Sequence, residues 1–298
     1  MAEVRTYKNA DIPEIVRVWN SHHELSGLAY PVATTTFYEA VIDRQNFNSN
    51  NMIVISEADH IAGFSHAVRL PNGELRLVGA WCEPGDDALA NSSAMIAHWV
   101  DRGLQVAGLT IAEHEGYVGL TQYSGLVGIA DADSRQTSWL RNHGFQPKER
   151  HASIQVSIPT FRPPVDRRIM QLRRTCGIQE VDFTPGTDSS WESGWGYLDP
   201  LVLQLRERAG KALAQIVAWN TGFGEVFPYS DVLLTDLLLY PGAADGSDLL
   251  LVAEALRELG SRRFLTARTV VDDAHPAHTT FWQSLGFRII ASGAVYSR

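Results

Sequence analysis

Residues 275–287, His-Pro-Ala-His-Thr-Thr-Phe-Trp-Gln-Ser-Leu-Gly-Phe, end a helix and begin a strand within a few positions. Pro276 suits the first helical position, where its missing N–H costs nothing. Phe281, Trp282 and Leu285 share one helical face by three-and-four spacing. Gly286 supplies the left-handed residue that stops the helix, and residues 287–290 continue as a strand. Residues 133–145 repeat the pattern, ending Gly144-Phe145 with Trp139 before it. Upstream of each copy lies a second landmark. Strand 77–82 is stopped by Pro84-Gly85, and strand 237–240 by Pro241-Gly242. Each is followed by a small polar loop and an amphipathic helix: 89–104 with Met95, Ile96, Trp99 and Val100 inward, and 248–259 with Leu249, Val252, Leu256 and Leu259 inward. Strand, Pro-Gly, helix, strand, helix, Gly-Phe, strand occurs twice, which constrains the chain to two related α/β units.

Both units resemble the C-terminal half of a GCN5-related N-acetyltransferase (GNAT) domain, and Phe161-Arg162-Pro163-Pro164-Val165-Asp166-Arg167-Arg168 resembles the linker of tandem GNAT proteins. The resemblance spans nearly the whole chain. It implies an α/β fold (α+β, mixed sheet) of two tandem GNAT-like domains, residues 1–158 and 167–298, joined by a linker at 159–166. The second domain is expected to be abbreviated at its front, and the two sheets to stack as a pair. An acyl-CoA is the implied co-substrate, and an amine on a small molecule or peptide the implied acceptor.

The front of the first half fits that architecture: a strand at 4–8, a helix from Asp11 with Ile12, Ile15, Val16 and Trp19 inward, a second helix at 34–47, and strands at 51–56, 61–69 and 75–82. The halves differ in length. From Pro84 to Gly144 is 60 positions and from Pro241 to Gly286 is 45, so the first half carries 15 more. These fall after a strand at 109–112, in a loop of interleaved glycines and tyrosines; a loop that long either carries function or packs on its own side chains. In the second half, 168–174, 179–183, 212–219 and 232–239 read as strands. Residues 199–208 read as a helix starting at Pro200, where the family has two. The Trp-rich segment 191–197 suits a plug for that gap or an acceptor cleft.

A net charge of −9 argues against a nucleic-acid binder, which needs a basic surface. No stretch approaches the roughly 20 apolar residues of a membrane helix, and no apolar signal core opens the chain. Two cysteines, Cys82 and Cys176, argue against a disulfide scaffold and fit a reducing cytoplasm. A homodimer is compatible with all of this.

In the family the coenzyme pyrophosphate rests on backbone N–H groups at a helix N-terminus, within the pattern Arg or Gln, two residues, Gly, one residue, Gly or Ala. Here Asp87 holds the basic position of the first loop, with Ala90 and Ser92 at the glycine positions. In the second, Ala244, Ser247 and Leu249 hold them, with Gly246 one residue away. The resemblance therefore marks Trp81, Cys82, Asp87, Ala88, Ala90, Asn91 and Ser92, and Leu239, Gly242, Ala244, Gly246 and Ser247, as candidate acyl-CoA contacts. Both loops carry aspartates, which repel a diphosphate by about 1 kcal/mol or more at 4 Å in a wet site; they also read as ordinary helix caps.

The tyrosine that often protonates the leaving thiolate falls at Leu140 and Trp282, and an indole N–H is a donor but not an acid. Tyr117 and Tyr123 are the substitutes in the long loop, or packing residues. His22 and His23, beside Glu24, and His66 are the candidate bases, since a neutral imidazole suits amine deprotonation. Adjacent histidines do not share a helical face and no third ligand is spaced for zinc, so no metal is expected. Asp272, Asp273, His275 and His278 cluster at a helix start, where capping explains Asp273 and the histidines have no required role. Two functions follow: an acyl-CoA-dependent N-acyltransferase with one active and one structural half, or a non-catalytic ligand-binding or dimerising scaffold with decayed acetyl-CoA loops.

Overall fold

The computed structural model describes residues 3–26, 31–43, 47–57, 60–70, 72–109, 120, 128–183, 200–221 and 231–298. In the first half, β1 (Glu3–Thr6) turns into α1 (Ile12–Ser26). Asp11 fixes that turn: its carboxylate accepts the Lys8 N–H at 2.8 Å and both guanidinium arms of Arg5 at 2.7 and 2.8 Å. The expected inner face of α1 is buried. The second helix is shorter than the sequence pattern suggests. α2 (Thr34–Phe37) opens into a wide π turn at Tyr38–Ile42, closed by the Asp43 N–H on the Tyr38 carbonyl. That widening rotates the apolar face, so Phe37, Ala40, Val41 and Ile42 are all buried.

β2 (Met52–Glu57), β3 (His60–Arg69) and β4 (Leu75–Cys82) form an antiparallel meander. Then come α3 (Ala88–Val100), β5 (Val106–Ala107), β6 (Ile129–Ala130), α4 (Ser134–Asn142) and β7 (Gln146–Ser157). β5 lies ahead of the expected 109–112 strand.

The second half has α5 (Arg167–Thr175), β8 (Cys176–Val181), β9 (Pro200–Glu207), β10 (Ala212–Asn220), β11 (Asp231–Leu239), α6 (Ser247–Ser261), β12 (Thr266–Asp272), α7 (Pro276–Ser284) and β13 (Arg288–Ser297). Two assignments reverse. Residues 168–174 are helical, because the Asp166 carboxylate caps the Arg168 N–H at 2.7 Å and Ile169 and Leu172 turn together into the core. Residues 200–207 are a strand, because they pair with β10 across the turn at Gly210; Pro200 sits at the strand's first position, where a missing donor is tolerated.

The sheets do not stack as a pair. All thirteen described strands form one sheet, in the order β1-β2-β3-β4-β5-β13-β7-β12-β11-β10-β9-β8, with β6 also on β13. The two Gly-Phe strands are exchanged: β13 pairs with β5 and β6 of the first half, and β7 pairs with β12 of the second. Burial accounts for the exchange. Ala152, Ile154 and Val156 of β7 lie in the second half's core, and Ala294 and Tyr296 of β13 in the first half's. Gly144 (φ +83°) and Gly286 (φ +86°) end their helices in the left-handed conformation expected of them.

Candidate active site

In each half a parallel strand pair separates partway along. Among the described residues, β4 pairs with β5 only at Arg76 and Leu77. β11 pairs with β12 only from Asp231 to Leu233. The segments that peel away, 79–82 and 234–239, precede the two Pro-Gly stops, and a helix start faces each opening.

In the first half, a described side chain reaches into the opening. Gln136 of α4 reaches across it, its Oε1 accepting the Ala80 N–H at 3.1 Å while its Nε2 donates to Asp133 at 2.8 Å. Asp133 also caps α4 through the Gln136 N–H and meets His22 Nε2 at 3.0 Å. The other nitrogen of His22 faces the Cys82 carbonyl at 3.3 Å, and Arg135 donates to the His22 carbonyl at 2.6 Å. His22, Asp133 and Gln136 are all buried. Burial alone would raise the Asp133 pKa; the hydrogen bonds from His22 and Gln136 and the field of His22 hold it below the usual carboxylate range.

The other first-half candidates are packed. His23 lies against Trp19, ring centroids 4.2 Å apart, and burial with the charge of His22 lowers its pKa. His66 lies beside Phe47, and burial lowers it to about 4. Trp81 stacks on Phe64 at 4.8 Å, and burial pushes the Cys82 thiol up to about 12. Asp87 precedes Ala88 at the start of α3 without a side-chain cap, Ala90 is exposed, Asn91 is buried, and the Ser92 hydroxyl donates back to the Leu89 carbonyl at 2.9 Å. Asp86 and Asp87 form no ion pair among the described residues. Tyr117 and Tyr123 lie outside the described residues, as does the Trp-rich segment 191–197. No cluster that could hold a metal ion occurs among the described residues, and none of their helices is long and apolar enough to cross a membrane.

The second half's opening is a cleft of about 480 Å³. Its walls are Leu234, Thr235, Asp236, Leu237 and Leu239 of β11, Thr269 and Val270 of β12, Asp248 of α6, and Ala277, His278, Phe281 and Trp282 of α7. The position of Gln136, eight before its glycine, is held here by His278, which lines the cleft instead of bridging it. Asp236 stands where β11 bulges, with a left-handed φ of +51° that a non-glycine residue seldom adopts. Trp219 Nε1 donates to the Thr235 hydroxyl at 2.9 Å, and that hydroxyl donates to Asp236 at 3.0 Å. The Asp236 carboxylate is open to the cleft but ringed by protein on its other side; this desolvation raises its pKa, and the Thr235 hydrogen bond offsets part of the rise.

At the mouth, Gly246 (φ +84°) forms the N-cap of α6. The Ser247 hydroxyl donates to the Ala244 carbonyl at 2.7 Å, and Leu239 is exposed at the rim. Asp245 is not left as bare negative charge: Arg168 of α5 meets it at 2.9 Å. Lys211 Nζ donates to the Gly242 carbonyl at 3.2 Å. These cations come from positions 77 and 31 residues before their partners, so no local motif could reveal them.

No protein-family model and no curated protein matches the sequence. Solved structures do match its fold. A tandem GNAT protein from the clavulanic acid biosynthesis pathway aligns over 100% of this chain and 98% of its own, with a TM-score of 0.65 at 11% identity. The fold is that of a tandem GNAT protein. A GCN5-related N-acetyltransferase from Sphaerobacter thermophilus covers 100% of this chain and 95% of its own (TM-score 0.64, 13% identity). The GCN5-related glucosamine N-acetyltransferase region of a fungal multi-domain GH3 beta-N-acetylglucosaminidase also aligns over 100% of this chain (TM-score 0.67, 12% identity); the chain spans 38% of that protein's length. Identities this low show the tandem GNAT fold, and the choice between its two openings rests on this chain's own residues.

Proposed function

We propose that this protein is an acyl-CoA-dependent N-acyltransferase that carries an acetyl or other acyl group to an amine of a small molecule or peptide. The second half holds the acyl-CoA and the first is structural. The observation that carries this reading is the contrast at one position: Gln136 occupies the Ala80 N–H in the first opening, while His278 lines an open cleft in the second.

The residues of the second cleft fit an acyl-CoA. The apolar walls Leu234, Leu237, Leu239, Phe281 and Trp282 suit a pantetheine arm. At the start of α6, Gly246 leaves the backbone free of a side chain; the Ser247 N–H is held by the Ala244 carbonyl and the Leu249 N–H by the Asp248 carboxylate, contacts that a pyrophosphate would replace. Arg168 balances Asp245 of the loop, and Lys211 adds a second cation at Gly242. An acyl-CoA bound there supplies a thioester carbonyl for attack by a neutral amine. Asp236 is the group in the cleft suited to accept the amine's proton, since desolvation moves a carboxylate toward the pKa of a useful base. The scaffold alternative has a weaker basis, because an open cleft beside a preformed helix start is not what a decayed site retains.

The test is titration calorimetry with acetyl-CoA. Saturable binding is expected, lost in Gly246→Val, whose side chain both crowds the helix start and strains a left-handed position. Gln136→Ala is the control. It leaves a buried N–H unpaired and lowers stability by about 1–3 kcal/mol, yet retains binding. Binding that disappears in Gln136→Ala and survives in Gly246→Val would assign the first half instead; no binding by the unaltered protein favours the scaffold.

A further inference from the structure

His278 has no counterpart in the pattern that the resemblance supplies. The residue expected to protonate the leaving thiolate falls at Trp282, whose indole is not an acid. One helical turn earlier on the same face of α7 stands His278, and both line the cleft. Its ring stacks on His275, with centroids 5.4 Å apart and planes at 20°. His275 Nδ1 in turn lies 3.3 Å from the Asp272 carboxylate. His275 and His278 are both exposed, so His278 meets solvent as well as the cleft.

The geometry points to His278 as the proton donor to the sulfur leaving in this cleft. This rests on the second half being the acyl-CoA half. As the amine nitrogen bonds to the acyl carbon and the carbon–sulfur bond breaks, the proton released by the amine passes to Asp236. The electron pair of the broken bond stays on sulfur, which takes the proton from the imidazolium of His278. The neutral imidazole is then reprotonated from water, and Asp236 returns its proton to water, so the sum is amine plus thioester giving amide plus thiol. Asp236 of β11 and Asp248 of α6 line the same cleft as His278, and Asp272 of β12 lies behind His275. His151 of β7 faces Asp272 across the β7–β12 ladder. No arginine or lysine lines the cleft among the described residues.

The experiment needs no acceptor. The ring of His278, assigned by comparison with His278→Gln, is titrated by NMR with coenzyme A bound, first as the neutral thiol and then with the thiol oxidised to the sulfonate, a permanent anion at the sulfur position. An anion beside the ring favours its imidazolium, so His278 should titrate about one pH unit or more higher with the sulfonate than with the thiol. Equal titration of His278 with the two bound forms overturns the assignment of His278 and leaves the cleft reading standing. Absence of binding by the unaltered protein overturns the cleft reading, and this assignment with it.

Discussion

His66 shows what burial does to a single residue. A solvated imidazole titrates near 6.5, yet in the fold this side chain stays neutral down to about 4, because charging it inside the core loses its hydration. Between those values the unfolded chain binds a proton that the folded chain refuses, so stability is full above about pH 6.5 and falls as the pH drops toward 4. The slope for one such group is about 1.4 kcal/mol per pH unit. His23, lowered by the same cause, adds to the slope. Urea denaturation should therefore show His66 alone removing about 2 kcal/mol between pH 6.5 and 5; in His66→Phe that part of the fall should vanish. An unchanged slope would mean that His66 is charged in the folded protein. As residue types, His22, His23 and His66 were visible as candidate bases. Their burial was not, because it depends on Cys82, Asp133 and Phe47, which are distant in the chain.

Elements were legible where their signals were local. The glycine stops, the Pro-Gly ends of β4 and β11, and the inner faces of α1, α3 and α6 need only residues within a turn or two of one another. α5 and β9 were misread because their alternatives are nearly balanced locally: α5 is decided by the Asp166 cap and its packing on α6, and β9 by its partner β10. The exchange of β7 and β13 carries a sharper consequence. Deleting residues 288–298 removes strand pairing from β5 and β6 and takes Ala294 and Tyr296 out of the first half's core. Each large buried side chain contributes about 1.5–3 kcal/mol. Hydrogen exchange on the truncated protein should therefore show protection lost in α3 and α4, far away in sequence. Loss confined to α6 and α7 would mean that each half keeps its own last strand.

At the scale of the molecule, one sheet running from β1 to β8 joins the halves through the β7–β13 seam. Neither half can lose its structure without stripping a strand from the other. Calorimetry should thus record a single unfolding transition, with the measured enthalpy equal to the enthalpy derived from its steepness; two resolved transitions would mean that the seam contributes little. The sequence by itself determined the duplicated unit, its helix stops and the apolar faces that make each half an α/β structure, because those signals are periodic and close-range. Only the tertiary structure decided which opening stays open, which aspartate gains a cation, and which half each Gly-Phe strand completes. Those outcomes depend on contacts such as Gln136 to Ala80, Arg168 to Asp245 and Tyr296 in the first core, between residues that meet only when the chain has folded.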